Sequence, residues 1–492
     1  DLKEKLNSES DGNKELNSKL SDAEKEIKDL NSKLSDAEKE IKNLKFQLNK
    51  AESMNKDLKS QTNEVQILKD QLSKLKIENE NLKAQKNAKN PSTEKPTTNT
   101  KPTSTTTTKP TTSSSSTKSS MFNSSNNECK TIVIDCGTGI TKAGFGGDES
   151  PRFVLPTVIS YRNSNKNDYY IGDSALSKST LPSFLLSHPF DDGVEIKWDY
   201  VDKIWSYIFN SKFSIDPSDY SILLTGGKVL NDRINRKKAI QMMFETYNVN
   251  SFYFGNPYVL SLYSSKRSTT GVVVDIGYNT TNVVPIKNGK PIDYAKIVSP
   301  LGGKHISDYL SSLIDSSFGL FSDEIKEKYA YVALDYNSEL LKAQNSSSCI
   351  ATFEKNGFRL QISEQRFRCA ELLFKPYLDK QYHHKNPETD GIAKNTMESI
   401  LKCNVGDRKL MFSNIVLSGG TTMLNGLSNR LKNEIEILSR SVTSPTIVTN
   451  NNRKYATWIG GSILSTQLNF KNDFISRKDY KENGPGIVLK CI

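Results

Sequence analysis

The chain has 492 residues, 25% of them charged and 35% hydrophobic, and a formal net charge of +11. That length allows two to four units of roughly 100–200 residues, and so low a hydrophobic share implies that part of the chain builds no core. The basic excess is Lys scattered through every segment without a dense block, which reads as solvated surface and argues against a nucleic-acid partner.

The first segment repeats itself. LNSKLSDAEKEIK runs from Leu16 to Lys28 and again from Leu30 to Lys42, a spacing of two heptads. Apolar residues at Leu16, Leu20, Ala23, Ile27, Leu30, Leu34, Ala37, Ile41, Leu44 and Leu48 alternate steps of three and four. That is the seam of a coiled coil, too narrow to bury itself without a second helix. The phase breaks after Leu58 and resumes at Val65, Leu68, Leu72 and Leu75, shifted by three residues, which is a stammer. Residues 1–86 are therefore expected to form an α-helical coiled coil that associates with itself, with the strand number open. The start at Asp1 rather than Met points to a fragment whose tail extends upstream.

Residues 87–127 change character. The run PSTEKPTTNTKPTSTTTTKPTTSSSSTKSS holds no aliphatic residue and is expected to be a disordered linker. The six cysteines are spread singly, so neither a disulfide framework nor a zinc site is indicated. The His383–His384 pair falls in a polar run and is expected to be loop. No apolar run reaches the roughly 18 residues of a membrane span, and there is no secretory segment. A reduced, cytoplasmic protein without a membrane partner follows.

From Cys129 onward, strands such as Thr131–Ile134, Gly271–Val274 and Ile415–Leu417 alternate with helical stretches such as Val201–Asn210 and Lys237–Tyr247, the pattern of an α/β fold. Three of its strands run into glycine turns. TIVIDCGTGITKAGFGGD begins at Thr131, and its Gly137-Thr138-Gly139 turn can offer backbone N–H groups to phosphate oxygens. Thr138 adds a hydroxyl, Lys142 a cation, and Asp135 a carboxylate able to hold a hydrated Mg²⁺. GVVVDIGYNTTNVVP repeats the theme with Asp275 and Gly277, and IVLSGGTTMLNG ends a strand at Gly419-Gly420-Thr421. Each turn alone is weak evidence. Together they suggest two Asp-Gly hairpins clamping one nucleotide, or a duplicated scaffold that no longer binds one.

These blocks resemble actin, and others follow in actin order: FETYNV (Phe244–Val249), VLSLYSS (Val259–Ser265), IKEKYAYVALD (Ile325–Asp335), RFRCAELLF (Arg366–Phe374), RKYATWIGGSIL (Arg453–Leu464) and GPGIV (Gly484–Val488). The resemblance covers residues 128–492. It implies a two-lobed actin-like ATPase fold of duplicated RNase-H-like domains, lobe one about 128–256 plus 459–492 and lobe two about 257–458, with ATP and Mg²⁺ between them. Residue by residue, Asp135 would face the metal's water shell, with Asp275 as the matching carboxylate of the other lobe. Gly137, Thr138, Gly139, Ile140, Lys142 and Gly277 would line the phosphates. Lys326 and Glu327 would meet adenine and ribose, Gly419, Gly420 and Thr421 would pack on the nucleotide, and Lys454 would border the base.

The chain also departs from the actin pattern. Where actin carries the glutamine that orients the attacking water, this chain has Pro257, which lacks both an amide side chain and an N–H. Tyr278 and Asn279 replace an acid and a glycine in the second phosphate loop, Asn282 a histidine, Asp192 the modified histidine and Leu424 a tyrosine near the base. ATP binding is thus expected to be weakened and hydrolysis slow or absent. Of the filament surfaces, the subdomain-2 loop is cut to about Tyr161–Tyr169 and the hydrophobic plug gives way to DKQYHHKNPETDG. Ordinary actin filaments are not expected. The leading expectation is a cytoskeletal actin relative, without efficient ATPase activity, that contacts actin or actin-binding proteins. An active ATPase of the wider superfamily and a scaffold with a vestigial cleft are the alternatives.

Overall fold

The computed structural model describes residues 130–491 apart from 192–194, 228–229, 356 and 441–443. The expected coiled coil and linker, and Asp192, lie outside the described residues.

Two sheets organise the head. In the first, the strands run in the order Ile475–Ser476, Ser251–Phe254, Ser221–Gly226, Thr131–Cys136, Ile140–Phe145, Phe153–Pro156. In the second the order is Lys290–Pro291, Thr281–Lys287, Gly271–Ile276, Ile415–Ser418, Ile447–Val448. Each central strand makes an antiparallel hairpin on one side and a parallel pair on the other. Asp135 stands opposite Lys142 in its hairpin and Thr225 on its parallel neighbour. Asp275 stands opposite Asn282 and Ser418 in the same way. The duplication foreshadowed by the two Asp-Gly turns is thus present in the hydrogen-bond register. In both sheets the Asp lies at the carboxyl end of a central strand, where α/β sheets place ligands.

The central strands are continuous apolar runs because both of their faces are covered. One core gathers Ile132, Ile134, Trp205, Phe209, Ile222 and Phe254. A second gathers Val272, Val274, Ile325, Ile400 and Leu431 around the other sheet. Helix Pro257–Ser264 joins the two: Leu260 belongs to the first core, whereas Tyr258, Val259 and Leu262 pack on the opposite face of the second sheet against Val273, Val284 and Val416. Helix Ala456–Ser465 packs on it, and its Trp458 is fully buried and donates from Nε1 to the Val133 carbonyl at 3.0 Å. Between these helices the buried Ser261 hydroxyl meets Thr457 Oγ1 at 2.9 Å and Ser418 Oγ at 3.0 Å. One small hydroxyl network therefore touches both linking helices and the second sheet.

One local expectation is corrected. The His383–His384 segment is not loop but the helix Lys380–Lys385. Asp379 caps it by accepting from the Gln381 and Tyr382 amides, and Tyr382 is buried with the His305 ring 5.1 Å away. A single buried aromatic anchors a helix that a polar composition does not suggest. The expected helix over Val201–Asn210 begins earlier, at Trp198, and widens into a π-helical turn over Tyr207–Phe213.

Candidate functional site

A cavity of about 700 Å³ opens between the carboxyl ends of the two sheets, and every site residue expected from sequence lines it. Asp135, Gly137, Thr138, Gly139, Ile140 and Lys142 come from the first sheet's hairpin; Asp275 and Gly277 come from the second. Lys326 and Glu327 arrive on helix Ser322–Tyr329, Gly419, Gly420 and Thr421 follow the strand Ile415–Ser418, and Lys454 sits in a short helical turn. Residues nearly 320 apart in sequence thus share one wall.

The first loop is held by Thr157, which sequence reading missed. Its hydroxyl donates to the Gly137 carbonyl at 2.8 Å and meets Thr141 Oγ1 at 2.9 Å, while its amide donates to the Gly139 carbonyl at 2.9 Å. Nothing in a lone Thr at that position signals the role; it depends on the strand returning beside the loop. The second loop is braced against the start of helix Gly303–Leu313: the Gly303 amide donates to the Gly277 carbonyl at 3.0 Å and the Lys304 amide to the Tyr278 carbonyl at 2.7 Å. The Thr421 hydroxyl donates to the Gly277 carbonyl at 2.9 Å. A Cβ on Gly302 would lie 2.5 Å from the Tyr278 carbonyl oxygen, so only glycine allows this packing. Gly419 adopts φ 93°, and a Cβ there would collide with the Ile276 carbonyl.

The charges are arranged as follows. Lys142 Nζ pairs with Asp135 Oδ2 at 2.9 Å, both largely shielded from solvent. Asp275 opens only partly to the cavity, and its carboxyl is pushed above the usual carboxylate range by burial, with the Asp135 charge adding to the rise and a hydrogen bond with Ser418 opposing it. Three buried side-chain oxygens on the cavity wall have no protein partner among the described residues: Tyr258 Oη, Asn279 Oδ1 and Asn282 Oδ1. Buried polar atoms of this kind call for water or a ligand. Two facing carboxylates and orphaned oxygens, without a cluster of three acidic, His or Cys side chains among the described residues, suit a cation held through its water shell better than one caged by protein. The residues present therefore fit hydrated Mg²⁺ beside a phosphate chain.

Two placements qualify the expected roles. Lys326 lines the cavity, but its ammonium is committed: it donates to Asp323 Oδ1 at 2.7 Å, Ser307 Oγ at 2.7 Å and the Gly303 carbonyl at 3.0 Å. Only its stem is left for a ligand. Tyr278 leans across the cleft, since a Cβ on Gly139 would lie 2.8 Å from its Cγ. Burial, with the Asp323 and Asp308 charges adding to it, holds its phenol well above its ordinary pKa. The two phosphate loops therefore touch through one aromatic ring.

The Actin family model matches residues 126–322 and 319–492. The chain belongs to the actin family. Its mixed sheets form the two-lobed actin-like fold, and actin-family proteins usually bind a nucleotide with Mg²⁺ between the lobes. Within the family fold, Pro257 is the first residue of the linking helix, a position where proline's fixed φ and missing N–H cost nothing. Asn256 caps that helix by accepting from the Tyr258 and Val259 amides. The site therefore has a stable helix start where the family pattern has a water-orienting amide. The nearest hydroxyl to it in sequence, on Tyr258, is pushed far above its ordinary pKa by burial and by Asp275, so it can donate a hydrogen bond but cannot act as a base.

Replacing Asp275 with Asn tests the charge arrangement. The Asp275 carboxyl titrates higher in the folded head than in an unfolded chain. Its ionised form thus costs stability above that folded value, and the cost disappears as pH falls through it. The expected result is an apo head that is more stable than wild type at neutral pH, with the gap closing on acidification. Mg-ATP binding should weaken about 10–100-fold, the usual scale for losing a partner of a metal's water shell. Urea titrations at two pH values and calorimetry read both; equal stability and equal affinity would remove Asp275 from the site.

Proposed function

We propose that this actin-family protein holds Mg-ATP as a structural ligand of its head, with slow or absent hydrolysis. We further propose that it oligomerises through the tail of residues 1–86 and contacts actin or actin-binding proteins in a cytoskeletal setting. The observation that carries the nucleotide reading is the single cavity in which both phosphate loops, both carboxylates and the Lys142 cation converge while the water-orienting position is Pro257. The amides of Thr138 and Gly139 donate to no protein acceptor among the described residues, which leaves them for phosphate oxygens. Among the described residues no helix is long and apolar enough to cross a membrane.

A ligand that binds only the folded head stabilises it by mass action, about 2.7 kcal/mol at a concentration one hundred times its Kd. Mg-ATP is therefore expected to raise the melting temperature of the protein by several degrees without measurable phosphate release. Phosphate release at an actin-like rate would overturn the non-hydrolysing part. The lack of any shift at millimolar Mg-ATP would favour the vestigial cleft, a reading for which the Tyr278–Gly139 contact is the specific support.

A further inference from the structure

The cavity between the two sheets is unequally prepared for a ligand on the two sides of Tyr278. On the side of the carboxylates each loop presents two successive backbone amides, Thr138 and Gly139 from the first and Tyr278 and Asn279 from the second. None of these amides donates to a protein acceptor among the described residues. Successive open amides form concavities that bind anions. Lys142 Nζ stands beside the first loop, 2.9 Å from Asp135 Oδ2 and 3.6 Å from where a Cβ on Gly137 would lie. Asp135 and Asp275 line the same side and suit the water shell of the cation that accompanies a phosphate chain.

The side that would meet a nucleoside offers less. Lys326 commits its ammonium to Asp323, Ser307 and the Gly303 carbonyl, and Glu327 on the same helix is exposed. Leu424 lines the cavity without a polar side-chain atom. A site gains a strong preference for one ligand through the hydrogen bonds it makes to that ligand, and neither Lys326 nor Leu424 has one left to give from its side chain.

Tyr278 stands across the passage between the two sides. Its Cβ and Cγ lie 2.9 and 2.8 Å from where a Cβ on Gly139 would be, and its ring centroid lies 6.0 Å from Lys326 Nζ. The ring thus reaches from the first phosphate loop toward helix Ser322–Tyr329, which carries Lys326 and Glu327. A nucleotide with its base at Lys326 and Glu327 has to thread its chain past this ring to reach Lys142 and the carboxylates. A short phosphate chain without a nucleoside stays on the carboxylate side and leaves the ring where it is. We propose that, with Tyr278 in place, the cavity takes free inorganic pyrophosphate with its cation, and takes it at least as tightly as Mg-ATP. The proposal rests on the reading of these loops as phosphate loops and names the ligand class that they accept with the ring unmoved.

The test is calorimetry of the full chain, wild type and Tyr278→Gly, with Mg-pyrophosphate and with Mg-ATP at one salt concentration. In wild type, pyrophosphate should bind at least as tightly as ATP. In Tyr278→Gly the affinity for ATP should rise about 5–30-fold, whereas that for pyrophosphate should change by less than about twofold. Lys142→Gln should weaken pyrophosphate about tenfold, an effect that a polyanion bound elsewhere on the basic surface does not show. Tighter binding of ATP than of pyrophosphate in wild type would overturn the proposal and leave the nucleotide reading standing. Pyrophosphate binding without ATP binding to either form would do the reverse. Binding of neither up to about 1 mM would overturn both. Equal tightening of the two ligands in Tyr278→Gly would remove the ring as the discriminating group, and pyrophosphate binding unchanged in Lys142→Gln would place it outside the cavity; either result overturns the proposal.

Discussion

Gly460→Val is expected to cost the head at least about 3 kcal/mol, seen as a lower urea midpoint with an unchanged slope. Gly460 lies on helix Ala456–Ser465 where it crosses helix Pro257–Ser264, and a Cβ there would be driven into the Leu260 carbonyl and its carbon. The obstacle is backbone, so no side-chain rotation relieves it, and the helices would have to separate. Separation would break the Ser261–Thr457 hydroxyl contact and leave the Thr457 hydroxyl without its partner. It would also lift Trp458 from its place in the first core. Gly406→Ala is the control: a Cβ there meets nothing within 4 Å, and that position lies in helix Val405–Ser413, so the change should be neutral or stabilising by up to about 1 kcal/mol. If Gly460→Val unfolds at the wild-type midpoint, the close helix crossing is not what joins the lobes.

The same crossing shows how far sequence carries. RKYATWIGGSIL announces a helix with paired glycines, but not which helix needs them, because that depends on a segment some 200 residues earlier. The loops that line the cavity were legible for the opposite reason. A phosphate loop is local: strand, Asp and Gly turn are contiguous, and the register places Asp135 and Asp275 identically in two sheets. The strands run further than their apolar residues suggested, through Asp135 to Cys136 and through Asp275 to Ile276, because each acid is itself a ladder residue at the mouth of the cavity. What stayed hidden depended on packing. Thr157 braces the first loop from just past the end of a neighbouring strand, and Lys326 is spent on Asp323, Ser307 and a carbonyl. Pro257 read as a loss, and the fold adds that it is also a well-formed helix start.

The largest gain in nucleotide affinity should come from Tyr278. In the family pattern an acid stands there, and in this chain a half-buried ring bridges from the second phosphate loop to Gly139 of the first. A nucleotide whose phosphates run between those loops has to displace the ring, exposing apolar surface. Burying an aromatic side chain stabilises by about 1.5–3 kcal/mol, so a half-buried ring costs about 1–2 kcal/mol to move, or about 5–30-fold in affinity. Tyr278→Gly should therefore tighten Mg-ATP binding by that factor. Tyr278→Asp should tighten it less, since a new carboxylate in a cavity already lined by Asp135 and Asp275 raises the electrostatic cost until a cation is bound. Neither variant should gain phosphate release, because Pro257 still stands where the actin pattern has its glutamine. Calorimetry on the two variants decides the point. Weaker binding by Tyr278→Gly would mean that the ring is a wall the nucleotide rests on, and that the contact with Gly139 is part of the site rather than an obstacle to it.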